Sequence, residues 1–290
     1  MNRLPFEKRR QILHLMVEGN SVRGIGRLVD VSPVTVLRYL ELAGHACEGF
    51  HDKTVRGLHS KQLQLDEIWS FVFCKRASLK KAKAPPEGAG NCWTWTCIDD
   101  SKLIVTWLIN NTRTTAATTG FLRDIIARMS PEALEILQVT SDMHGTYKRS
   151  AVGLFNERGS FAQIRKIYTD TADKGPERKY SPGICVGSKT HVLYGDPDPA
   201  HISTSYVEKH NQTMRQHMKR FARLTAAHSK KIDNHAHMVA LYTVWYNFAR
   251  INSAVKMSPA MAAGISKTLW DVGDIVKLVE DYEESSRAAA

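Results

Sequence analysis

Cysteine is scarce and unpatterned in this chain. Its five cysteines (Cys47, Cys74, Cys92, Cys97 and Cys185) are odd in number and contain no Cys-x-x-Cys pair. That argues against a disulfide framework and against a structural zinc site, and a reducing cytosol is the expected compartment. Long apolar runs are missing as well. No stretch approaches the roughly 18–20 apolar residues of a membrane span, and the opening MNRLPFEKRR has no apolar segment of the kind a secretory signal needs. No membrane partner is expected. Acid is in short supply: 29 Asp and Glu stand against 40 Lys and Arg, a net charge of +11. Such an excess attracts polyanions through the summed field of the protein. It is also focused. From His201 to Lys231 there are seven Lys or Arg and one acid, Glu208, whereas Asp271 to Glu284 holds six acids and one Lys.

What is present describes a globular protein. Hydrophobic residues make up 43% and charged residues 24% of the 290 positions, enough for one substantial core plus a small accessory domain. Residues 6–44 read as three short helices. Ile12, Leu13, Leu15 and Met16 give the first an apolar stripe, and Gly19-Asn20 ends it. Ser21 caps a second helix, Val22 to Val29; Asp30-Val31 makes a tight turn; Ser32-Pro33 opens a third, which Gly44 is expected to stop. Two short helices across a tight turn, with a third in support, form a helix-turn-helix pattern that offers Thr35, Arg38 and Tyr39 to a DNA groove. A generic helical cap on the main domain is the plainer alternative.

The expected division is a helix-turn-helix domain over 1–44, a linker over 45–60, a main domain over 61–266, and an acidic C-terminal helix and tail over 267–290. Strands are expected at Lys61–Lys75, Cys92–Ile98, Leu103–Ile109, Glu135–Ser141 and Ala162–Tyr168, with helices at Thr114–Met129 and Tyr147–Phe155. Residues 169–202 read as a long connection with a short hairpin near His191–Tyr194. Helices are expected from Ser203 to Leu224 and from Asn234 to Ile251, and Ser285–Ala290 as a frayed tail. Trp69, Trp93, Trp95 and Trp107 sit at strand positions and read as core. The result is a mixed α/β domain whose order resembles the ribonuclease H-like fold: a mixed sheet flanked by helices, preceded by a small all-α domain.

Three acids stand beside apolar residues, where a lone charge is costly unless paired or bound to a cation. Asp66 lies mid-strand in QLDEIW, Asp142 follows the fourth strand in VTSDMHGTY, and Glu208 sits one turn into the long helix. Phosphoryl transfer uses such a set, because two divalent ions about 3.5–4 Å apart can serve the attacking and leaving oxygens. Mg²⁺ prefers carboxylate, water and phosphate oxygens. On an uninterrupted helix Asn211, Arg215 and Lys219 share the side of Glu208, while Val207, Met214, Met218 and Phe221 form an adjacent apolar stripe. An ordinary amphipathic helix with solvated charges is the plainer reading of that segment.

These segments resemble the catalytic motifs of DDE transposases from bacterial insertion sequences, particularly the compact kind related to retroviral integrases. In that family the final Glu is followed seven residues later by Lys or Arg; here Glu208 and Arg215 match, with Asn211 between them. The stretch YNFARINSAVKMSPAMAAGIS, from Tyr246 to Ser266, is similar to the family's ending, although Asn252 stands where many relatives carry His. The resemblance spans roughly residues 61–266.

It implies Asp66, Asp142 and Glu208 as catalytic metal ligands for two Mg²⁺ or Mn²⁺ ions, with Asp66 preferred over its neighbour Glu67, which strand alternation sends to the opposite face. It further implies a DNA transposase that cleaves element ends and transfers the 3′-OH strand into target DNA. Terminal inverted repeats and target DNA would be its partners, and a homodimer or higher homo-oligomer would act on DNA in the bacterial cytoplasm at the nucleoid. Asn211, Arg215, Lys219 and Arg220 would join Thr35, Arg38 and Tyr39 as DNA-binding residues. The competing readings are a helix-turn-helix regulator, including a catalytically inactive transposase remnant, and a nuclease that cuts without joining.

Overall fold

A computed structural model describes residues 4–155, 158–169, 183–222 and 225–288. Its centre is a six-stranded mixed sheet: β1 (Gln62–Val72), β2 (Gly90–Asp99), β3 (Ile104–Asn110), β4 (Gln138–Asp142), β5 (Ser160–Tyr168) and β6 (Cys185–Tyr194), in the spatial order β3-β2-β1-β4-β5-β6. Strands β1, β2 and β3 run antiparallel; β4 joins β1 in parallel, β5 joins β4 in parallel, and β6 returns antiparallel at the edge. An antiparallel meander whose first strand continues into a parallel pair, with helices over the sheet, is the ribonuclease H-like arrangement expected from the element order. Of the connection expected at 169–202, residues 170–182 lie outside the described residues, and β6 is a longer strand than the short hairpin foreseen there.

The N-terminal helices are α1 (Phe6–Val17), α2 (Val22–Val29) and α3 (Pro33–Thr54). Ser21 accepts from the Gly24 amide and Ser32 from the Thr35 amide, so both expected caps are in place. Asp30 takes the left-handed conformation between α2 and α3.

Gly44, however, does not stop the third helix, and most of the expected linker is helix. The reason lies in tertiary contact. Helix α8 (Ile232–Val244) crosses α3 so closely that a Cβ at Gly44 would sit 2.4 Å from His237 Cβ and 2.6 Å from its Cα. The glycine makes room for a crossing helix rather than ending its own. Gly44→Ala should therefore cost about 1–3 kcal/mol through overpacking. Gly49→Ala, on the same helix with nothing within 4 Å of the new Cβ, should instead stabilise by about 0.5–1 kcal/mol. Urea titration of both proteins checks this, and similar midpoints for the two would contradict the crossing. Residues 55–60 are pinned too: Leu58 donates to Arg128 O and accepts from the Ser130 amide.

Helices α4 (Thr115–Arg128) and α6 (Gly145–Leu154) pack together on one side of the sheet. Helix α7 (Ser205–His217) lies against β1 and β2. A short helix α5 (Pro131–Ile136) precedes β4, where the sequence suggested strand from Glu135; Ser130 caps it and Pro131 opens it. The final helices are α9 (Pro259–Ala262) and α10 (Val272–Ala288). Helix α10, the acidic segment, lays Ile275, Val276 and Val279 into the core against α1 and α3, and Glu280 takes an ion pair from Arg9 at 2.6 Å. One continuous apolar core therefore runs from Ile12 and Leu40 through Trp95 and Phe121 to Val279. A π-helical turn, Trp245–Ala249, ends α8 and turns Asn247 inward. Its side-chain amide donates to Ile104 O and accepts from the Ile104 amide, both at 2.9 Å, completing the outer edge of β3, where no further strand pairs among the described residues.

Candidate functional site

Strands β1 and β4 stay paired up to Leu65 and Ser141. Beyond that rung they part, and Asp66 and Asp142 are the next residues on each. Ligands of open α/β sheets gather in such a crevice outside the carboxyl ends of parallel strands. Asp66 shares the α7 side of the sheet with Gln64, two residues earlier. Gln64 Oε1 accepts from the Tyr206 amide at 2.6 Å and the Val207 amide at 3.3 Å, so a strand side chain caps the first turn of α7. Asn211 Nδ2 donates to Asp66 Oδ2 at 2.8 Å, and the Glu67 amide donates to Asp66 Oδ1 at 2.8 Å. Gln64 and Asn211 together bolt α7 to β1.

Glu67 points to the other side, as alternation requires, and borders Tyr147 on α6. Its carboxylate nevertheless meets the same centre. One ligand oxygen from each of Asp66, Glu67 and Asp142 lies within 4.8 Å of the others. Asp142 ends its strand in the gap and can be approached from either side, so the face argument against Glu67 does not hold here. The Glu67 side chain is only 1% exposed, and Arg113 Nη1 stands 3.5 Å from its Oε2 while stacking its guanidinium over Trp93 at 3.9 Å.

Electrostatics records the crowding. Burial, and then the Asp142 and Glu208 charges, push the Asp66 carboxyl up to about 7 against the pull of the Glu67 amide and Asn211. Burial and the Asp142 charge push Glu67 up to about 7 as well. Uncompensated carboxylates in a desolvated gap favour protons or a cation. The donor set is all oxygen, as hard divalent cations prefer. Glu67 Oε1 has no hydrogen-bond partner among the described residues. On these grounds the residues fit a divalent ion.

Glu208 stands apart from this tight group. Its Oε2 takes an ion pair from Lys166 on β5 at 2.5 Å, and its Oε1 accepts from Thr204 at 2.8 Å. It shares with Asp142 a cleft of about 600 Å³, also lined by His144, Arg165, Lys166 and Tyr168. Gln163 ties the strand end down by donating to Asp142 O at 2.7 Å. The His144 amide donates to Asp142 Oδ1 at 3.1 Å, which fixes the carboxylate's direction.

The residues expected to meet DNA divide. Arg38 and Lys219 are exposed and Thr35 and Arg215 half-buried. Tyr39 is buried in the core at 6% exposure, so it is not available to a groove. Asn211 is buried and serves Asp66. The Arg220 guanidinium turns inward to Ser229 Oγ and Asn234 O, and burial pulls its pKa down to about 10. Lys219 does not share the helix of Glu208. Helix α7 ends at His217, whose Nδ1 pairs with Val17 O at 2.8 Å, and the α1–α2 turn at Gly19 closes on the helix end. Met218 is extended, and Lys219–Phe221 forms a separate 3₁₀ turn. Val207, Met214, Met218 and Phe221 are all buried, as their spacing suggested. Trp95 is fully buried and Trp93 and Trp107 pack on the core, whereas Trp69 pairs with Phe71 outside it.

No protein-family model and no curated protein matches this chain. Among solved structures it is similar to a pre-cleavage Mos1 transpososome, with 11% identity over 98% of this chain and 80% of that one and a TM-score of 0.31. It is also similar to the mariner Mos1 paired end complex with Mg (13% identity, 84% and 80% covered, TM-score 0.26). A third is the Mos1 strand transfer complex (12%, 84% and 76%, TM-score 0.24).

Proposed function

We propose that this chain is a DNA transposase that cuts element ends and transfers the resulting 3′-OH strand to target DNA, with Asp66, Asp142 and Glu208 as its metal-holding acids. The observation that carries the reading is the convergence of the half-buried carboxylates of Asp66, Glu67 and Asp142 where β1 and β4 part, with Asp142 also lining a cleft that holds Glu208, Arg165 and Lys166. Divalent ions bound there would activate a water or 3′-hydroxyl and stabilise the leaving oxygen of a phosphodiester. The protein's own part is positional. Asn211 and the Glu67 amide aim Asp66, the His144 amide aims Asp142, and Thr204 and Lys166 hold Glu208 beside the cleft. The exposed Arg165, Lys209 and Lys219, with the half-buried Lys166, supply charge to backbone phosphates. Two ends must be cut together, so two chains would act on each DNA complex.

The N-terminal helices would read the terminal repeats through Arg38 and Thr35. Arg38→Ala should weaken binding to an end duplex by about 1–3 kcal/mol, read by fluorescence anisotropy at fixed salt; an unchanged affinity would remove Arg38 from the contact. A second reading, a metal-independent DNA-binding regulator, is favoured by the Lys166–Glu208 ion pair, which already satisfies the third acid. A single assay separates the readings. Purified protein is incubated with a labelled end duplex, a target plasmid and Mg²⁺, and the products are sequenced. Joined products support transposition, cutting without joining indicates a nuclease, and binding without cutting indicates the regulator.

A further inference from the structure

We propose that Glu67 is a metal ligand in its own right, sharing a divalent ion with Asp66 and Asp142, so that the centre holds four carboxylates rather than three. This rests on the metal-dependent reading above and adds a residue to it. Two observations carry the assignment. The first is geometric: oxygens of Asp66, Glu67 and Asp142 lie within 4.8 Å of one another, close enough to share one cation. The second is independent of that cluster. The Glu67 side chain is 1% exposed, and its Oε1 has no hydrogen-bond partner among the described residues. The buried Tyr147 hydroxyl lies near enough to pull the Glu67 carboxyl's pKa down, without coming within direct hydrogen-bond distance of Oε1. A buried carboxylate oxygen left unpaired costs its full desolvation, and a bound cation is the partner that removes the cost.

Arg113 explains how the side chain is aimed. It engages Oε2 and is itself fixed on the Trp93 ring, which leaves Oε1 for the ion.

The test measures binding rather than turnover. Mn²⁺ is titrated into the full-length protein and the free ion is followed by electron paramagnetic resonance. Glu67→Gln, which keeps the shape of the side chain, should bind Mn²⁺ at least about tenfold more weakly than wild type, the low end of what an outer-shell change typically costs a metal site. Circular dichroism checks that the variant is folded. Glu67→Asp, which withdraws the carboxylate by one methylene, serves as a second variant and should also lose affinity. Wild-type affinity in either folded variant overturns the assignment. If that happens while Asp142→Asn abolishes binding, only the role of Glu67 falls. If the wild-type protein itself binds no Mn²⁺, the metal-dependent function falls with it.

Discussion

Asp142→Asn should abolish strand cleavage while leaving the fold intact. Asparagine keeps an oxygen for the His144 amide, and the Asp142 carbonyl that Gln163 holds is backbone. What is lost is the charge that belongs both to the Asp66–Glu67–Asp142 cluster and to the cleft of Glu208. Losing a metal's contribution of several kcal/mol corresponds to a rate fall of about a thousandfold or more, at 1.36 kcal/mol per decade. Mg²⁺-dependent nicking of a labelled end duplex measures it, with Glu208→Gln in parallel. Cleavage at the wild-type rate in Asp142→Asn would remove the acid cluster from the chemistry.

The second large effect concerns stability and runs opposite to activity. Burial and the neighbouring acids hold the folded-state pKa of Asp66 at about 7, well above its ordinary value of 3.8. A carboxyl raised in this way favours the folded state when neutral. Its contribution is complete below about pH 4 and is lost as pH rises through about 7. Metal-free protein should therefore be less stable at pH 8 than at pH 5, and Mn²⁺ should restore much of the difference by binding the folded state. Asp66→Asn cannot ionise and should be more stable than wild type at pH 8 without metal. The ceiling is on the order of 4 kcal/mol, from 1.36 kcal/mol per pKa unit, and a gain of about 1–3 kcal/mol is expected because one oxygen must now serve both the Glu67 amide and Asn211. The same protein should not cut DNA, a familiar opposition between stability and a strained functional centre. Chemical denaturation at the two pH values decides it, and superimposable profiles for wild type and Asp66→Asn would refute the account.

Local signals in the sequence carry as far as local physics does. The caps at Ser21 and Ser32, the alternation of β1 and the apolar stripe of Val207, Met214, Met218 and Phe221 are short-range features, and each has its expected place. Ser32-Pro33 opens α3, and the same Ser-Pro pair at 130–131 and 258–259 opens α5 and α9. Those two starts were legible by the same rule, but the apolar pattern after Glu135 looked like strand. The remaining differences depend on neighbours far away in the chain. Gly44 looks like a stop until α8 crosses it. Helix α7 reads through to Leu224, yet the α1–α2 turn meets its end at His217. Tyr39 and Arg220 look like surface contacts but face inward. At the acid centre Asp66 and Asp142 stood out by their settings, while Gln64 and Glu67 did not. Gln64 left one trace, a polar residue among Leu63 and Leu65 at the spacing of Asp66. Glu67 was legible only as an alternative to Asp66, set aside because period-two reasoning ignores the point at which a strand pair separates.

On the proposed function, the third helix has a consequence for DNA length. Its 22 residues rise about 1.5 Å each, so a single unbroken cylinder of roughly 33 Å carries Arg38 near one end and is clamped by α8 further along. A reader joined to a nuclease through a loose tether tolerates variable spacing between the bases it recognises and the bond it cuts. A protein that joins them through a stiff strut works as a calliper, and the number of base pairs between its recognition sequence and its cleavage point is set by the strut.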